Sequence, residues 1–233
     1  MTKSLIKILS ALLVVITLLG GAIYVNDYYP TTEGAILLPE GVSIREEAGY
    51  TICHSDDGVK GLIFYPGGKV DHKAYITLGV ALAERGITTV ICEMPLRLAV
   101  LDVNAAEGVC DTLPEITEWY IGGHSLGGSM AASYMASHPE IMGLVLLGSY
   151  STADVSDRKA LSIYGSEDRV MNAEKYEKYK SNLSPELNEV IIDGGCHAYF
   201  GTYGPQDGDG TPSLDNYTQI NLSADYIADF INK

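Results

Sequence analysis

From Tyr50 onward the chain alternates between short runs that are apolar almost throughout and longer segments whose apolar residues recur at helical spacing. Leu62–Tyr65, Thr88–Cys92, Gly143–Leu147, Leu161–Tyr164 and Glu189–Ile192 predict strands, and Glu118–Gly122 predicts another. Between them, Ala74–Arg85, Gly128–Ser137, Ala173–Lys180 and Leu222–Ile231 predict helices, with Gly86 stopping the first. A further helix is expected through Leu98, Leu101 and Ala105. Strands that are apolar on both faces and separated by helices belong to a mostly parallel sheet covered on both sides. The fold class is α/β.

Two stretches depart from this alternation. Tyr50–Cys53 and Gly61–Tyr65 flank Ser55-Asp56-Asp57-Gly58, which predicts a hairpin turn. Gly201–Ser213, rich in Gly, Asp and Pro, reads as a solvated surface loop, with substrate contact as the other possibility.

The first 25 residues follow neither pattern. Lys3 and Lys7 precede an apolar run from Ile8 to Val25, interrupted by Ser10, Thr17 and glycines. At about 1.5 Å per residue, a helix there reaches roughly 27 Å, near the thickness of a bilayer core. Positive charge before the run and Asp27 and Glu33 after it place the rest of the chain outside the cytoplasm. Tyr24, Tyr28 and Tyr29 fall where an interfacial aromatic belt would lie. The expectation is an uncleaved transmembrane anchor over residues 1–25. A cleaved signal peptide, using Gly20-Gly21-Ala22, is the alternative. Residues 26–49 form a lead-in with a short apolar run at Ala35–Leu38, and residues 50–233 form the domain.

Charge removes one class of function. Thirty acidic residues face fifteen basic ones, for a formal charge of −15. A nucleic-acid binder needs the opposite balance to meet phosphates. Cys53, Cys92, Cys110 and Cys196 are even in number, which in an exported domain permits disulfides in three full connectivities; buried free thiols are the other reading. No C-x-x-C occurs and the histidines are scattered, so neither a metal nor a cofactor is expected.

The chemistry centres on Gly123-His124-Ser125-Leu126-Gly127. A serine hydroxyl is a weak nucleophile unless held beside a base. Glycines two residues to either side allow a sharp strand-to-helix turn that leaves the serine exposed. Here a hydrophobic strand precedes the motif and a small-residue helix follows it.

With that motif in that setting, residues 50–231 resemble the α/β-hydrolase superfamily, and within it small, lidless bacterial serine hydrolases with an N-terminal membrane segment. The resemblance implies a Ser-His-Asp triad in the order Ser125, Asp168, His197. Asp168 stands in Gly165-Ser166-Glu167-Asp168 after a strand; Glu167 is its neighbour, and Asp154 is the alternative after the preceding strand. His197 follows the last strand and Asp193-Gly194-Gly195-Cys196, whereas His124 lies inside the elbow and His138 precedes Pro139. Family members stabilise the oxyanion with two backbone N–H groups. By resemblance these are Leu126 and a residue of Pro66-Gly67-Gly68-Lys69, with Gly68 preferred and Lys69 next to it. Proline stands here where the family's loop carries histidine. The dienelactone-hydrolase relatives are similarly compact but use cysteine at the position of Ser125.

Gly148–Ala160, where cap domains of the superfamily enter, is too short for a separate lid, so an open cleft is expected. The function implied is hydrolysis of a small-molecule acyl substrate, a carboxylic ester first. A thioesterase or an amidase/peptidase on the same residues, or an exported binding protein that keeps the fold, are the alternatives.

Overall fold

The apolar runs fold into a single eight-stranded sheet: β1 (Val42–Glu47), β2 (Tyr50–Ser55), β3 (Lys60–Tyr65), β4 (Ile87–Cys92), β5 (Glu118–His124), β6 (Gly143–Leu147), β7 (Lys159–Gly165) and β8 (Asn188–Ile192). This computed structural model describes residues 3–32, 34 and 36–233. The strand order is β1-β2-β4-β3-β5-β6-β7-β8; β2 runs against both its neighbours and every other pairing is parallel. The helices are α1 (Lys3–Asn26), α2 (Ile76–Ala83), α3 (Val109–Thr112), α4 (Leu126–Met135), α5 (Ala173–Tyr179) and α6 (Asn216–Asn232).

Alternation along each strand sends side chains into two cores. In β3, Leu62 and Phe64 join α2 and α6 in a cluster with Leu78, Leu82, Ile220 and Ile227. Ile63 and Tyr65 face the other way, packing with Ala131, Ala132 and Met135 of α4. Because both faces are covered, the strands are apolar at consecutive positions, which is the pattern the sequence displays.

Three local expectations are corrected. The turn at Ser55–Gly58 does not close a hairpin, because β4 inserts between β2 and β3. The hairpin joins β1 to β2 instead, with Glu47 paired to Tyr50 and Gly49 at φ +94° in the connection. Its first strand lies within the lead-in, where the mixed sequence Val42–Glu47 suits a half-exposed edge. The helix expected through Leu98 and Ala105 is absent; short 3₁₀ turns at Pro95–Arg97 and Ala99–Leu101 replace it. Leu96 and Arg97 sit at positive φ there, which no regular helix accommodates.

The N-terminal run adopts a helix, α1, but among the described residues no helix is long and apolar enough to cross a membrane. The transmembrane segment expected from the sequence is therefore not part of the described fold. Within the run, the side chains of Ile8, Ala11, Leu18, Ala22 and Ile23 lie outside the described residues. The tyrosines expected as an aromatic belt contact the domain instead. Tyr24 lies under Lys69, Tyr28 under Arg97, and Tyr29 packs on Tyr203.

All four cysteines are free. Cys53 and Cys92 belong to opposite cores, so the sheet separates them.

Candidate active site

β5 delivers Ser125 at the point where the strand turns into α4. The serine holds φ 52° and ψ −122°, a conformation that costs a non-glycine residue energy and persists only when its surroundings enforce it. Here its N–H donates to Leu147 O over 2.9 Å, and its carbonyl accepts from Ser149 Oγ over 2.6 Å. The glycines of the motif are steric necessities. A Cβ at Gly123 would lie 2.5 Å from Tyr65 O, and one at Gly127 would collide with the carbonyls of Tyr65 and Pro66.

The acid turn and the histidine loop meet backbone to backbone. A Cβ at Gly165 would strike Gly195, while Glu167 N–H donates to Gly195 O over 2.8 Å. This apposition brings His197 Nδ1 to 2.8 Å from Asp168 Oδ2, with both side chains 1% exposed. Oδ1 of Asp168 accepts from the N–H groups of Val170 and Met171, which fixes the carboxylate plane. Glu167 points away into an ion pair with Arg169, and Asp154 is exposed and accepts from Ser156. Of the three acid candidates, only Asp168 meets the histidine. His197 Nε2 is buried with no hydrogen-bond partner among the described residues.

Gly148 joins this pair to the elbow. It directly follows Leu147, the acceptor of the Ser125 N–H, and a Cβ on it would lie 2.9 Å from His197 Nδ1. On the other side, the His124 and His197 rings lie 4.4 Å apart between centroids.

The loop after β3 offers its N–H groups selectively. Gly67 N–H donates to Tyr75 Oη over 3.0 Å, and Lys69 N–H donates to Arg97 O over 2.8 Å. Gly68 N–H makes no hydrogen bond among the described residues, and neither does Leu126 N–H at the start of α4. A Cβ at Gly68 would lie 3.1 Å from Leu126 Cδ2, so the two residues are in contact. Alongside Ser125 opens a cavity of about 230 Å³ lined by Leu126, Gly148, Tyr150, Val170 and Met171. A second cavity of about 280 Å³, at Pro66, Asp71, Glu93 and Arg97, includes none of the three triad candidates.

Several supports were not anticipated from the sequence. Tyr75 Oη also bonds His124 Nδ1 at 2.8 Å, so one buried hydroxyl links the loop after β3 to the elbow. Burial, then the adjacent His197, holds the His124 imidazole well below its ordinary range, hence neutral. Gln219 of α6 brackets Cys196, accepting from its N–H and donating to its carbonyl. Asp209, inside the stretch read as a solvated loop, accepts from Ala198 N–H over 2.8 Å and from Arg169 N–H over 3.3 Å. Burial raises the Asp209 carboxyl, but the surrounding N–H donors outweigh it and hold the group below the usual carboxylate range. Its only sequence signal is an Asp beside Gly208 and Gly210, which many turns share. Among the described residues, no cluster of three or more His, Cys, Asp or Glu is placed to hold a metal ion.

A mostly parallel sheet with one reversed strand, carrying a serine on a glycine-flanked turn between a strand and a helix, defines a class of α/β enzymes. The profile of the Alpha/beta hydrolase family matches residues 61–221, and the chain belongs to that family. No curated protein sequence matches it. Among solved structures it is similar to Est1E from Butyrivibrio proteoclasticus, at 14% identity and a TM-score of 0.57, over 83% of this chain and 100% of that one. It is similar to the esterase domain of a Rhodothermus marinus protein at 13% identity and a TM-score of 0.56, over 77% and 92%. A dienelactone hydrolase from Anabaena variabilis shares 14% identity and a TM-score of 0.62, over 82% and 100%. At these identities the likeness establishes a common fold.

Proposed function

We propose that the chain is a serine hydrolase of acyl bonds, a carboxylic ester hydrolase first, with Ser125, His197 and Asp168 as its triad. The observation that carries this reading is the buried Asp168–His197 pair, with Gly148 packed between it and the strained turn that holds Ser125. Asp168 accepts from Nδ1–H and so fixes the tautomer that leaves Nε2 as the base. As Ser125 Oγ attacks the acyl carbon, its proton passes to Nε2 and the carbonyl π pair moves onto oxygen. The N–H groups of Gly68 and Leu126 are the donors for that oxyanion. Collapse of the tetrahedral adduct expels the alcohol, which takes the proton from His197. Water then attacks the acyl-enzyme with His197 as base, releasing the acid and restoring Ser125. A thioester or amide fits the same steps with a different leaving group.

A fluorophosphonate probe tests the reading. Covalent labelling of the native protein that vanishes in Ser125→Ala supports it. A folded protein that takes no label points to a binding protein instead.

We also propose that the domain lies outside the cytoplasm. The support is the order of Lys3 and Lys7, the apolar run, and Asp27. Protease added to intact cells should reach the domain, and protection of the domain would overturn this placement.

A further inference from the structure

The loop that supplies Gly68 is gripped from outside the domain's own sheet. Tyr29 N–H donates to Lys69 O over 2.7 Å, and Tyr29 O accepts from Asp71 N–H over 3.0 Å, so the chain just after α1 is bridged to this loop. The Lys69 ammonium reaches the carbonyls of Tyr24 and Asp27 and lies 3.7 Å from the centre of the Tyr24 ring. Arg97, whose carbonyl accepts the Lys69 N–H, stacks its guanidinium 3.4 Å from the Tyr28 ring centre. Cations at the last turn of a helix also oppose its negative dipole end.

Among the described residues, Lys69 and Arg97 are two of the four non-glycine residues at positive φ, and Ser125 is another. Backbone in that region needs outside support to persist. The same segment reaches the histidine loop as well. Thr32 N–H donates to Thr202 O over 2.7 Å, Asp207 N–H donates to the Tyr29 hydroxyl over 3.3 Å, and the Tyr29 and Tyr203 rings pack 5.7 Å apart.

We propose that residues 24–32 are a strap that holds the Gly68 N–H in its oxyanion-binding position, with Tyr29, Lys69 and Arg97 as positioning residues. This rests on the serine-hydrolase reading above. The strap touches no reacting atom. Its effect falls on the transition state, because the oxyanion gains its full charge there and not in the bound ester.

Lys69→Met and Arg97→Met, singly, test it in the full chain. Each is expected to lower kcat about tenfold with KM within twofold, and to weaken a boronic-acid inhibitor, which forms a tetrahedral adduct on serine, by the same factor. Lys69→Arg should restore the rate, and Lys73→Met, which breaks only the exposed pair with Glu46, should leave it unchanged. Unchanged kcat in both strap variants, or reduced kcat with unchanged boronate affinity, overturns the strap. A native protein that takes no fluorophosphonate at Ser125 removes the hydrolase reading itself, and the strap with it.

Discussion

His197 Nδ1 and Asp168 Oδ2 stand 2.8 Å apart with neither side chain open to water, while Glu167, one residue away, turns out to Arg169. Adjacent turn residues have thus been sent in opposite directions, one to the site and one to solvent. Asp168→Asn is expected to lower kcat by roughly 10³–10⁴, because the amide favours the wrong tautomer of the imidazole. Glu167→Gln and Asp154→Asn should each stay within about tenfold, or about 1.4 kcal/mol of barrier. Steady-state kinetics on variants with unchanged circular dichroism checks all three. A damaging Asp154→Asn would move the acid to the preceding strand.

Gly127→Ala tests the elbow. The added methyl meets two backbone carbonyls, of Tyr65 and Pro66, which cannot rotate away as side chains do. The turn must shift, and a shift of about 1 Å at a nucleophile costs on the order of 10²-fold in rate. Loss of activity with a lowered Tm is expected. Full activity would mean that α4 packs less tightly on β3 than the structure shows.

His124 makes stability depend on pH. Its imidazole is depressed in the folded protein by burial first and by His197 second, whereas the unfolded chain takes up a proton near pH 6.5. Unfolding therefore binds a proton below that pH, and the contribution to stability is full above about 6.5 and lost as pH falls. Thermal melts from pH 7.5 to 5 should show a falling Tm, with a shallower decline in His124→Gln. Equal slopes in the two proteins would remove His124 from the account. His72, also depressed by burial, adds to the slope of both.

Thiol reactivity follows burial. Cys53 and Cys196 are pushed up to about 12 by burial, and Cys110, half-buried beside Glu140 and Asp111, up to about 11. Thiolate is scarce at all of them near neutral pH. In the native protein iodoacetamide should modify Cys110 slowly and the other three only after denaturation, as read by mass spectrometry. Rapid labelling of Cys92 would contradict its place in the core.

The elements visible in the sequence are those whose character is local. Gly143–Leu147 is apolar because both faces of the sheet are covered there, whereas Glu189–Ile192 is the edge strand and leaves Ile191 exposed; the bounds of both match the strands within a residue. The elbow is legible because its glycines, its serine and the strand-to-helix change fall within five residues, although the carbonyls that exclude a Cβ there belong to Tyr65 and Pro66. What escaped was set by distant partners. β1 is a strand because β2 offers it an edge, and β2 joins β4 because the chain crosses over, neither of which leaves a local trace. The 95–101 segment carries helix-like apolar spacing, yet Pro95 and the Lys69–Arg97 contact bend it into 3₁₀ turns. Asp168 could be preferred over Glu167 only by resemblance, since no rule of spacing says which of two neighbouring carboxylates faces a cleft. Tyr75, Gln219 and Asp209 looked ordinary, because each matters through a bond to a loop far along the chain.

The link between β6 and β7 is brief, and Tyr150 within it lines the cavity beside Ser125. Two to four residues later Thr152 and Asp154 are exposed, where backbone tolerates insertion best. For an engineer this is a socket. A helical hairpin grafted between Thr152 and Asp154 would start from exposed backbone two residues beyond cavity-lining Tyr150, and would leave the sequences of the strands, the elbow and the His197 loop unaltered. Substrate preference in this scaffold is thus separable from its chemistry, and selection on such grafts can proceed while the machinery beneath them stays constant.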